Sequence, residues 1–196
     1  MTAEMQADWV DRDALRLLLT AMMPANALAM EVAMSTGLRI GDVLAIRTEQ
    51  ARKPRFTIKE EKTGKARRIY LPRKLRERMF EQAGRFYVWE GRTDPTKHRT
   101  RQAVYKDLAR VAKLYRLDGR KLQEHVSTHT ARKVWAVERF HETGDAAQVQ
   151  REMNHTQGAV TALYILADEL TKRRTGCKLK ELSLIHISEP TRPISI

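Results

Sequence analysis

Two histidines, an arginine and a tyrosine follow one another in the C-terminal third of the sequence at spacings that suit phosphate chemistry. His129 and Arg132 stand three residues apart, so a helix would place them on one side of a turn. His155 follows, and Tyr164 comes nine residues after it. A tyrosine has an unperturbed pKa of about 10, and nearby positive charge lowers the cost of making it a nucleophile. Taken singly, the His-x-x-Arg pair is common on solvated helix faces, and Tyr164 could be an ordinary core tyrosine.

An arginine in the first half stands in a glycine-flanked turn. Arg39 lies in the segment STGLRIGD, directly before a short predicted helix. Its guanidinium can bind a phosphate through two parallel hydrogen bonds, and the exposed N–H groups of that helix would add to an anion site. The alternative is a surface ion pair between Arg39 and Asp42.

A basic segment lies between two runs of alternating apolar residues. Lys62 is part of this segment, EEKTGKAR, and further cations follow it at Lys65, Arg67 and Arg68. A basic hairpin tip is often only solvated, but it can also enter a groove of DNA and contact phosphates. We therefore expect Lys62 near a phosphate and the other three cations to bind DNA, together with the basic face of a helix at 100–116.

In this order the motifs resemble those of the tyrosine recombinases, the phage-integrase family. The resemblance covers roughly residues 8–170: an arginine in a TGLRxGD turn, a lysine in a KTGK hairpin tip, His-x-x-Arg, and a histidine nine residues before a tyrosine. It implies a DNA strand transferase that cleaves and rejoins DNA through a covalent 3′-phosphotyrosine, with type IB topoisomerase-like chemistry that needs no metal, cofactor or ATP.

The resemblance implies a role for each matched position. Arg39 and Arg132 would clamp the scissile phosphate, and Lys62 would protonate the 5′-hydroxyl leaving group. His129 would be an acid/base residue that contacts the phosphate. His155 takes a position that is His or Trp in the family, Tyr164 would be the nucleophile, and Asp42 would support the site from behind. Double-stranded DNA is the implied partner, with a homotetramer assembled on it.

The sequence departs from the family in three places. Met153-Asn154 stands where Leu-Gly usually precedes the second histidine, but asparagine tolerates the left-handed conformation that glycine supplies. We expect residues 1–181 to be the catalytic domain, without the N-terminal core-binding domain of other members. Residues 182–192, LSLIHISEPTR, resemble a translated sequencing adapter, so 182–196 are expected to be a non-native tail; the alternative is a genuine tail with a strand-like pattern.

The elements that must hold these residues are mostly helical. Phe56 and Ile58 alternate with polar residues, as do Ile69 and Leu71, which predicts a β-hairpin. Gly37 should end a helix that Asn26 begins after an interruption at Pro24, and Asp11 is a plausible cap of the first helix. Helical spacing is expected at 11–20, 26–36, 40–47, 73–83, 100–116, 127–143, 145–152 and 157–170, with a loop over most of 84–99. The predicted fold class is α+β, mainly α-helical with a small antiparallel β-sheet.

Composition agrees with a nucleic-acid partner. The 196 residues carry 37 Lys and Arg against 24 Asp and Glu, a formal net charge of +13. One cysteine excludes an internal disulfide, and His125 and His129 lack partners in sequence for a metal site. The N-terminus lacks a signal-peptide pattern and no apolar run is long enough to span a membrane, so a cytoplasmic protein without membrane contact is expected.

Three other interpretations stay open. The chain could be a truncated recombinase that binds DNA without cutting it, although its catalytic positions are filled. An RNA-binding basic protein would explain the charge but not the ordered motifs. A type IB topoisomerase would share the mechanism, while the length and the TGLRxGD turn favour a recombinase.

Overall fold

The computed structural model describes Val10 and residues 12–117, 120–121, 126–154 and 183–184. Within these ranges the chain forms helices, a two-stranded hairpin and a small three-stranded sheet. The helices are α1 (Arg12–Thr20), α2 (Pro24–Thr36), α3 (Ile40–Leu44), α4 (Thr48–Ala51), α5 (Arg73–Glu81), α6 (Arg101–Ala112), α7 (Thr130–Thr143) and α8 (Ala146–Glu152). The strands are β1 (Arg55–Lys59), β2 (Ala66–Tyr70), β3 (Tyr115–Leu117), β4 (Arg120–Lys121) and β5 (Ser183–Leu184).

Helix α2 is the centre of the core. Its sequence is apolar around most of its circumference, and buried residues run along it from Asn26 to Thr36, as expected of a helix surrounded by protein. Helices α1, α3, α5 and α7 pack against it. The two segments that should carry Arg39 and Arg132 are thereby brought side by side, although they are far apart in sequence.

The predicted hairpin is confirmed. β1 and β2 pair antiparallel, with Phe56 opposite Ile69 and Lys59 opposite Ala66. Phe56, Ile58 and Ile69 are buried while their neighbours face solvent, which is the alternation that a half-buried strand requires. The six residues between the strands therefore stand at the end of a short, well-anchored ribbon.

Helix α2 begins earlier than the sequence predicted. Pro24 is its first residue, where the missing N–H costs nothing, so Pro24 starts the helix instead of interrupting the chain. The prediction that Asn26 caps this helix was wrong. Its side chain is buried and donates to Asp107 at 2.8 Å while accepting from Arg99 at 2.7 Å, so it joins α2 to α6.

The second half contains two short strands, β3 and β4, that the sequence did not indicate, and a third, β5, within the segment whose alternative interpretation was a strand-like tail. Helix α6 ends at Ala112, and β3 then pairs antiparallel with β4 and with β5, where the helical spacing had suggested a helix as far as 116. Residues 84–99 are largely irregular, as expected, with isolated bridges Arg47–Tyr87 and Glu90–His98. The cap expected of Asp11 and the helix expected at 157–170 lie outside the described residues.

None of the described helices is long and apolar enough to cross a membrane.

Candidate active site

The site is built around the left-handed turn that ends α2. Gly37 has φ 67°, and its N–H donates to the Ala33 carbonyl at 2.8 Å, which confirms the predicted helix end. A Cβ at Gly37 would lie 2.5 Å from the Trp135 ring on α7. The turn needs glycine both for its backbone conformation and for this close approach, which sets how near α7 comes to the arginine loop.

Arg132 fastens three segments of chain together from the first turn of α7. Its guanidinium is almost fully buried, with the residue 4% exposed. Nη1 donates to the Gly37 carbonyl at 2.6 Å and Nη2 donates to the Met153 carbonyl at 2.6 Å. A buried cation that donates to backbone carbonyls keeps its charge and has a fixed orientation. Arg132 therefore makes the electrostatic potential around the Gly37 turn more positive.

Arg39 stands just after the turn and is paired with a carboxylate. Its Nη1 donates to Glu60 Oε2 at 2.6 Å, and its side chain is 19% exposed. The sequence had offered Asp42 as the alternative partner of Arg39, and the structure places Glu60 there instead. Within the described part of the chain, this is the one hydrogen bond of the Arg39 guanidinium, and its remaining N–H groups stay available for an anion.

Asp42 connects the arginine loop to the hairpin. Its Oδ1 accepts the backbone N–H of Glu61 at 2.9 Å, while Oδ2 is buried and has no partner in the described structure. Burial raises the pKa of this carboxyl, partly offset by the Glu61 N–H. Asp42 therefore holds the loop that carries Lys62 from the α3 side.

Lys62 lies in the exposed tip of the hairpin. The tip is closed by two backbone bonds, from Glu60 N–H to the Lys65 carbonyl at 3.0 Å and from Gly64 N–H to the Glu60 carbonyl at 2.8 Å. The Lys62 side chain is exposed. It is therefore presented from a defined loop, whose first residue, Glu60, pairs with Arg39.

His129 begins α7, one turn ahead of Arg132. Partial withdrawal from water lowers the pKa of its ring, and the positive charges of Arg132, Arg101 and Arg39 lower it further. Both arginines of the site therefore favour the uncharged imidazole. At neutral pH the ring is therefore in its neutral form, the form that can accept a proton.

The three cations expected to bind DNA divide into two kinds. Lys65 and Arg68 are exposed on the hairpin. Arg67 points inward, with its side chain 11% exposed; it donates to the carbonyls of Thr36 at 2.5 Å and Gly37 at 3.3 Å and lies over the Trp135 ring at 5.4 Å. This position gives Arg67 a part in holding the turn, and it does not suit the direct DNA contact expected of it.

His155 and Tyr164 lie outside the described residues. The segment just before His155 is described and is fastened to the site at two points. Arg132 holds the Met153 carbonyl, and Asn154 Nδ2 donates to Glu60 Oε1 at 3.2 Å. Asn154 has φ 52°, which confirms that asparagine here adopts the left-handed conformation.

Sequence reasoning missed Glu60 and Trp135. The available signal for Glu60 was a pair of acids, Glu60 and Glu61, at the start of the loop that carries Lys62 and Lys65. Its side chain is fully buried and accepts from Arg39, Thr63 and Asn154. Those hydrogen bonds outweigh the effect of burial and lower the pKa of its carboxyl, so it is ionised at neutral pH.

The family of the chain follows from comparison with known proteins. The family model described as "Phage integrase family" matches residues 8–170. The chain belongs to the phage integrase family. It is 29% identical over 145 residues to the "Probable integrase/recombinase YoeC" of Bacillus subtilis (strain 168), covering 71% of this chain and 76% of that protein.

Solved structures of phage integrases and related recombinases share the fold. A lambda integrase dimer bound to a COC′ core site matches with TM-score 0.65 and 14% identity over 94% of this chain and 53% of that one. The XerH site-specific recombinase bound to palindromic difH matches with TM-score 0.61 and 14% identity, covering 88% of this chain and 53% of that one. The catalytic domain of bacteriophage HP1 integrase matches with TM-score 0.55 and 16% identity, over 87% of this chain and 95% of that domain.

These matches confirm the predicted family and fold class. Integrases of this family are tyrosine recombinases, which are DNA strand transferases. The chain spans about half the length of the XerH and lambda proteins and nearly all of the HP1 catalytic domain. The shared part is thus the mostly helical domain with the small antiparallel hairpin.

Proposed function

We propose that this chain is a site-specific DNA recombinase or integrase in which Tyr164 is the nucleophile. The observation that carries the proposal is that Arg132 donates to the Gly37 carbonyl while Arg39, two residues after that turn, pairs with Glu60 of the hairpin that presents Lys62. The charges of both arginines also act on His129. Residues 1–181 form its catalytic domain, and double-stranded DNA is its substrate.

The proposed reaction is a transfer of one phosphate ester for another. The Tyr164 hydroxyl oxygen attacks the scissile phosphorus, and its proton passes to neutral His129. The bond to the 5′-oxygen breaks, and that oxygen takes a proton from Lys62. Arg39, Arg132 and His155 stabilise the charge that grows on the phosphate. The 3′-phosphotyrosine keeps a phosphodiester, so attack by another 5′-hydroxyl reverses the step without ATP.

Covalent capture from a randomised DNA library tests this proposal for any target sequence. The chain is incubated with nicked duplexes carrying a randomised core, in which cleavage releases a short fragment and prevents religation. Denaturing gels then report the protein–DNA adduct, and mass spectrometry of the digested adduct identifies the modified residue. We expect an adduct on Tyr164, its loss in Tyr164→Phe, and its retention in Tyr105→Phe, which alters an exposed tyrosine of α6.

The possible outcomes separate the alternatives. DNA binding without any wild-type adduct would support a remnant that occupies DNA without cutting it. An adduct that survives in Tyr164→Phe would refute the assignment of the nucleophile. Relaxation of supercoiled plasmid without site dependence would favour a topoisomerase.

We also propose that four copies assemble on two DNA sites, in the cytoplasm. A lambda integrase structure described as a tetramer bound to a Holliday junction shares the fold with TM-score 0.62 and 16% identity. Mass photometry of the chain with a captured target duplex should show a four-copy complex, and a species that stays at one or two copies on paired sites would contradict this.

A further inference from the structure

Glu60 lies where three parts of the proposed active site meet. Its carboxylate is fully withdrawn from solvent, and Oε2 accepts from Arg39 Nη1 at 2.6 Å and from Thr63 Oγ1 at 3.0 Å. Oε1 accepts from Asn154 Nδ2 at 3.2 Å and lies 3.7 Å from Arg67 Nη1. One carboxylate thus connects the phosphate-clamp arginine, the lysine loop and the residue before His155.

The backbone of Glu60 adds a second constraint on the lysine loop. Its N–H and carbonyl form the two bonds that close the hairpin tip, to Lys65 and from Gly64. Glu60 thereby holds the loop that presents Lys62 through its backbone as well as through its side-chain bond to Thr63. The side chain and backbone together connect the position of Arg39 with that of Lys62.

The bond to Glu60 also limits how Arg39 can meet a phosphate. A guanidinium has five N–H donors in a rigid plane. Because Nη1 is held by Glu60, the Nε and Nη2 edge is the one left free among the described contacts, and two parallel bonds from that edge match phosphate geometry. Burying a carboxylate costs desolvation free energy. At Glu60 this cost accompanies a bond that fixes the orientation of Arg39.

We propose that Glu60 is a positioning residue for strand cleavage: it orients Arg39, the Lys62 loop and the Asn154 segment as one unit before DNA binds. The proposal rests on the proposed function for its kinetic consequence. Its structural content, that Glu60 holds Arg39 and the loop, stands independently of whether the chain cleaves DNA.

Glu60→Gln tests the proposal, because it keeps the shape and one acceptor but removes the charge. Single-turnover adduct formation is measured at saturating DNA, using a nicked duplex recovered from the library. We expect the rate constant to fall about 10²-fold, the size of effect that misplaced reacting groups produce, with DNA affinity changed less than about twofold. A defect in global folding would instead lower the active fraction and leave the rate constant of the remaining molecules unchanged.

Two further variants make the kinetic test specific. Glu61→Gln changes the neighbouring exposed acid and should keep the wild-type rate constant. Thr63→Val removes one hydrogen bond to Glu60 and should cause a smaller fall, which covers the case in which Glu60→Gln does not fold. A wild-type rate constant in Glu60→Gln, or equal losses in Glu60→Gln and Glu61→Gln, would overturn the proposal.

A measurement without DNA separates this inference from the proposed function. The side-chain ¹⁵N NMR signals of Arg39, assigned by their loss in Arg39→Lys, should show slowed guanidinium rotation in wild type and faster rotation in Glu60→Gln. Unchanged Arg39 signals would refute the positioning role even in a cleaving enzyme. Absence of any wild-type adduct, with Arg39 released in Glu60→Gln, would refute the proposed function and keep the structural inference.

Discussion

Single residues set the spacing of the site. Gly37 and Gly144 both adopt left-handed backbone with φ 67° after a helix, but they differ in their surroundings. A Cβ at Gly37 would meet the Trp135 ring at 2.5 Å, whereas one at Gly144 would meet nothing within 4 Å. The two glycines therefore separate the cost of backbone conformation from the cost of crowding.

Gly37→Ala should destabilise the protein more than Gly144→Ala. Left-handed backbone alone costs a non-glycine residue roughly 1–2 kcal/mol, which is the expected loss for Gly144→Ala. Crowding against Trp135 adds about 1–3 kcal/mol at Gly37. Urea unfolding of both variants measures the difference. Equal losses of unfolding free energy would show that the Trp135 ring moves aside without an energetic penalty.

His129 depends on charges from other elements. The positive charge of Arg101, an exposed residue of α6, contributes to its lowered pKa. Arg101→Gln should raise the midpoint of the His129 titration toward the ordinary value of 6.5, because one repelling charge is removed. NMR titration of the imidazole measures this, with Lys74→Gln as a control that removes an exposed charge on α5. A His129 midpoint unchanged by Arg101→Gln would show that the charge of Arg101 does not act on the ring.

At the scale of elements, the hairpin has two separate tasks. One face of β2 directs Arg67 inward to the Gly37 turn, while the adjacent Arg68 faces solvent. Successive residues of a strand point to opposite sides, so one basic run serves both packing and the proposed DNA contact.

Substitution of these neighbouring arginines should separate stability from DNA binding. Arg67→Ala leaves the buried Glu60 with one cation fewer and should cost about 3 kcal/mol or more of unfolding free energy. Arg68→Ala should change stability by less than about 0.5 kcal/mol and weaken DNA binding. Urea unfolding and fluorescence anisotropy on duplex DNA test the pair; a stable Arg67→Ala variant with weakened DNA binding would reverse the assignment.

At the scale of the whole molecule, buried acids tie stability to pH. The pKa values of the buried Glu60 and Asp107 and of the partly exposed Glu152 are lowered in the fold. In each case hydrogen bonds or ion pairs that favour the charged form outweigh the effect of burial. A carboxyl with a lowered folded pKa adds stability above its unfolded value and loses it as pH falls through the folded value. Asp42 acts in the opposite direction, because its pKa is raised.

The protein should therefore lose stability as pH falls below about 4.5, the ordinary value for Glu60 and Glu152. The charged carboxylate of Asp107 binds Asn26, Arg110 and the Met23 N–H. Asp107→Asn should therefore lower the free energy of unfolding at pH 7, and that free energy should then fall less between pH 7 and acid pH than in wild type. Asp42→Asn should be neutral or stabilising at pH 7, with a gain that disappears in acid. Thermal unfolding from pH 3 to 8 tests both variants. If the melting temperatures of the two variants changed with pH in the same way, the opposite effects expected of Asp107 and Asp42 would be contradicted.

The net charge of +13 predicts strong salt dependence of DNA binding. Each phosphate contact adds about one to the slope of log affinity against log salt concentration. Lys65→Ala and Arg68→Ala should each reduce the slope by about one, and Arg85→Ala, away from the hairpin, should leave it unchanged. A slope unaffected by the hairpin variants would place the DNA contact elsewhere.

The sequence by itself determined the residue types, their order and most of the elements. Local rules suffice for these, because the Gly37 turn and the hairpin alternation each follow from a few neighbouring residues. The left-handed Asn154 was expected from the resemblance, since the family usually has glycine at that position. The family followed from the order of the motifs, and the fold class from the helical spacing and the one alternating hairpin. The predicted cap at Asn26 was wrong because Asp107, distant in sequence, binds the Asn26 side chain in the core. Pro24 begins α2 instead of interrupting the chain, which agrees with the local preference of proline for the first helical position.

Only the tertiary structure decided which of those residues act together. Arg39 pairs with Glu60 and not with the nearby Asp42, and Arg67 turns inward among equally basic neighbours. The choice of partner depends on burial, because a carboxylate that is withdrawn from water needs hydrogen bonds. It forms them with the donors that the packed elements place around it. Sequence spacing cannot supply that information, because those donors come from the start of α3, the hairpin tip and the end of α8.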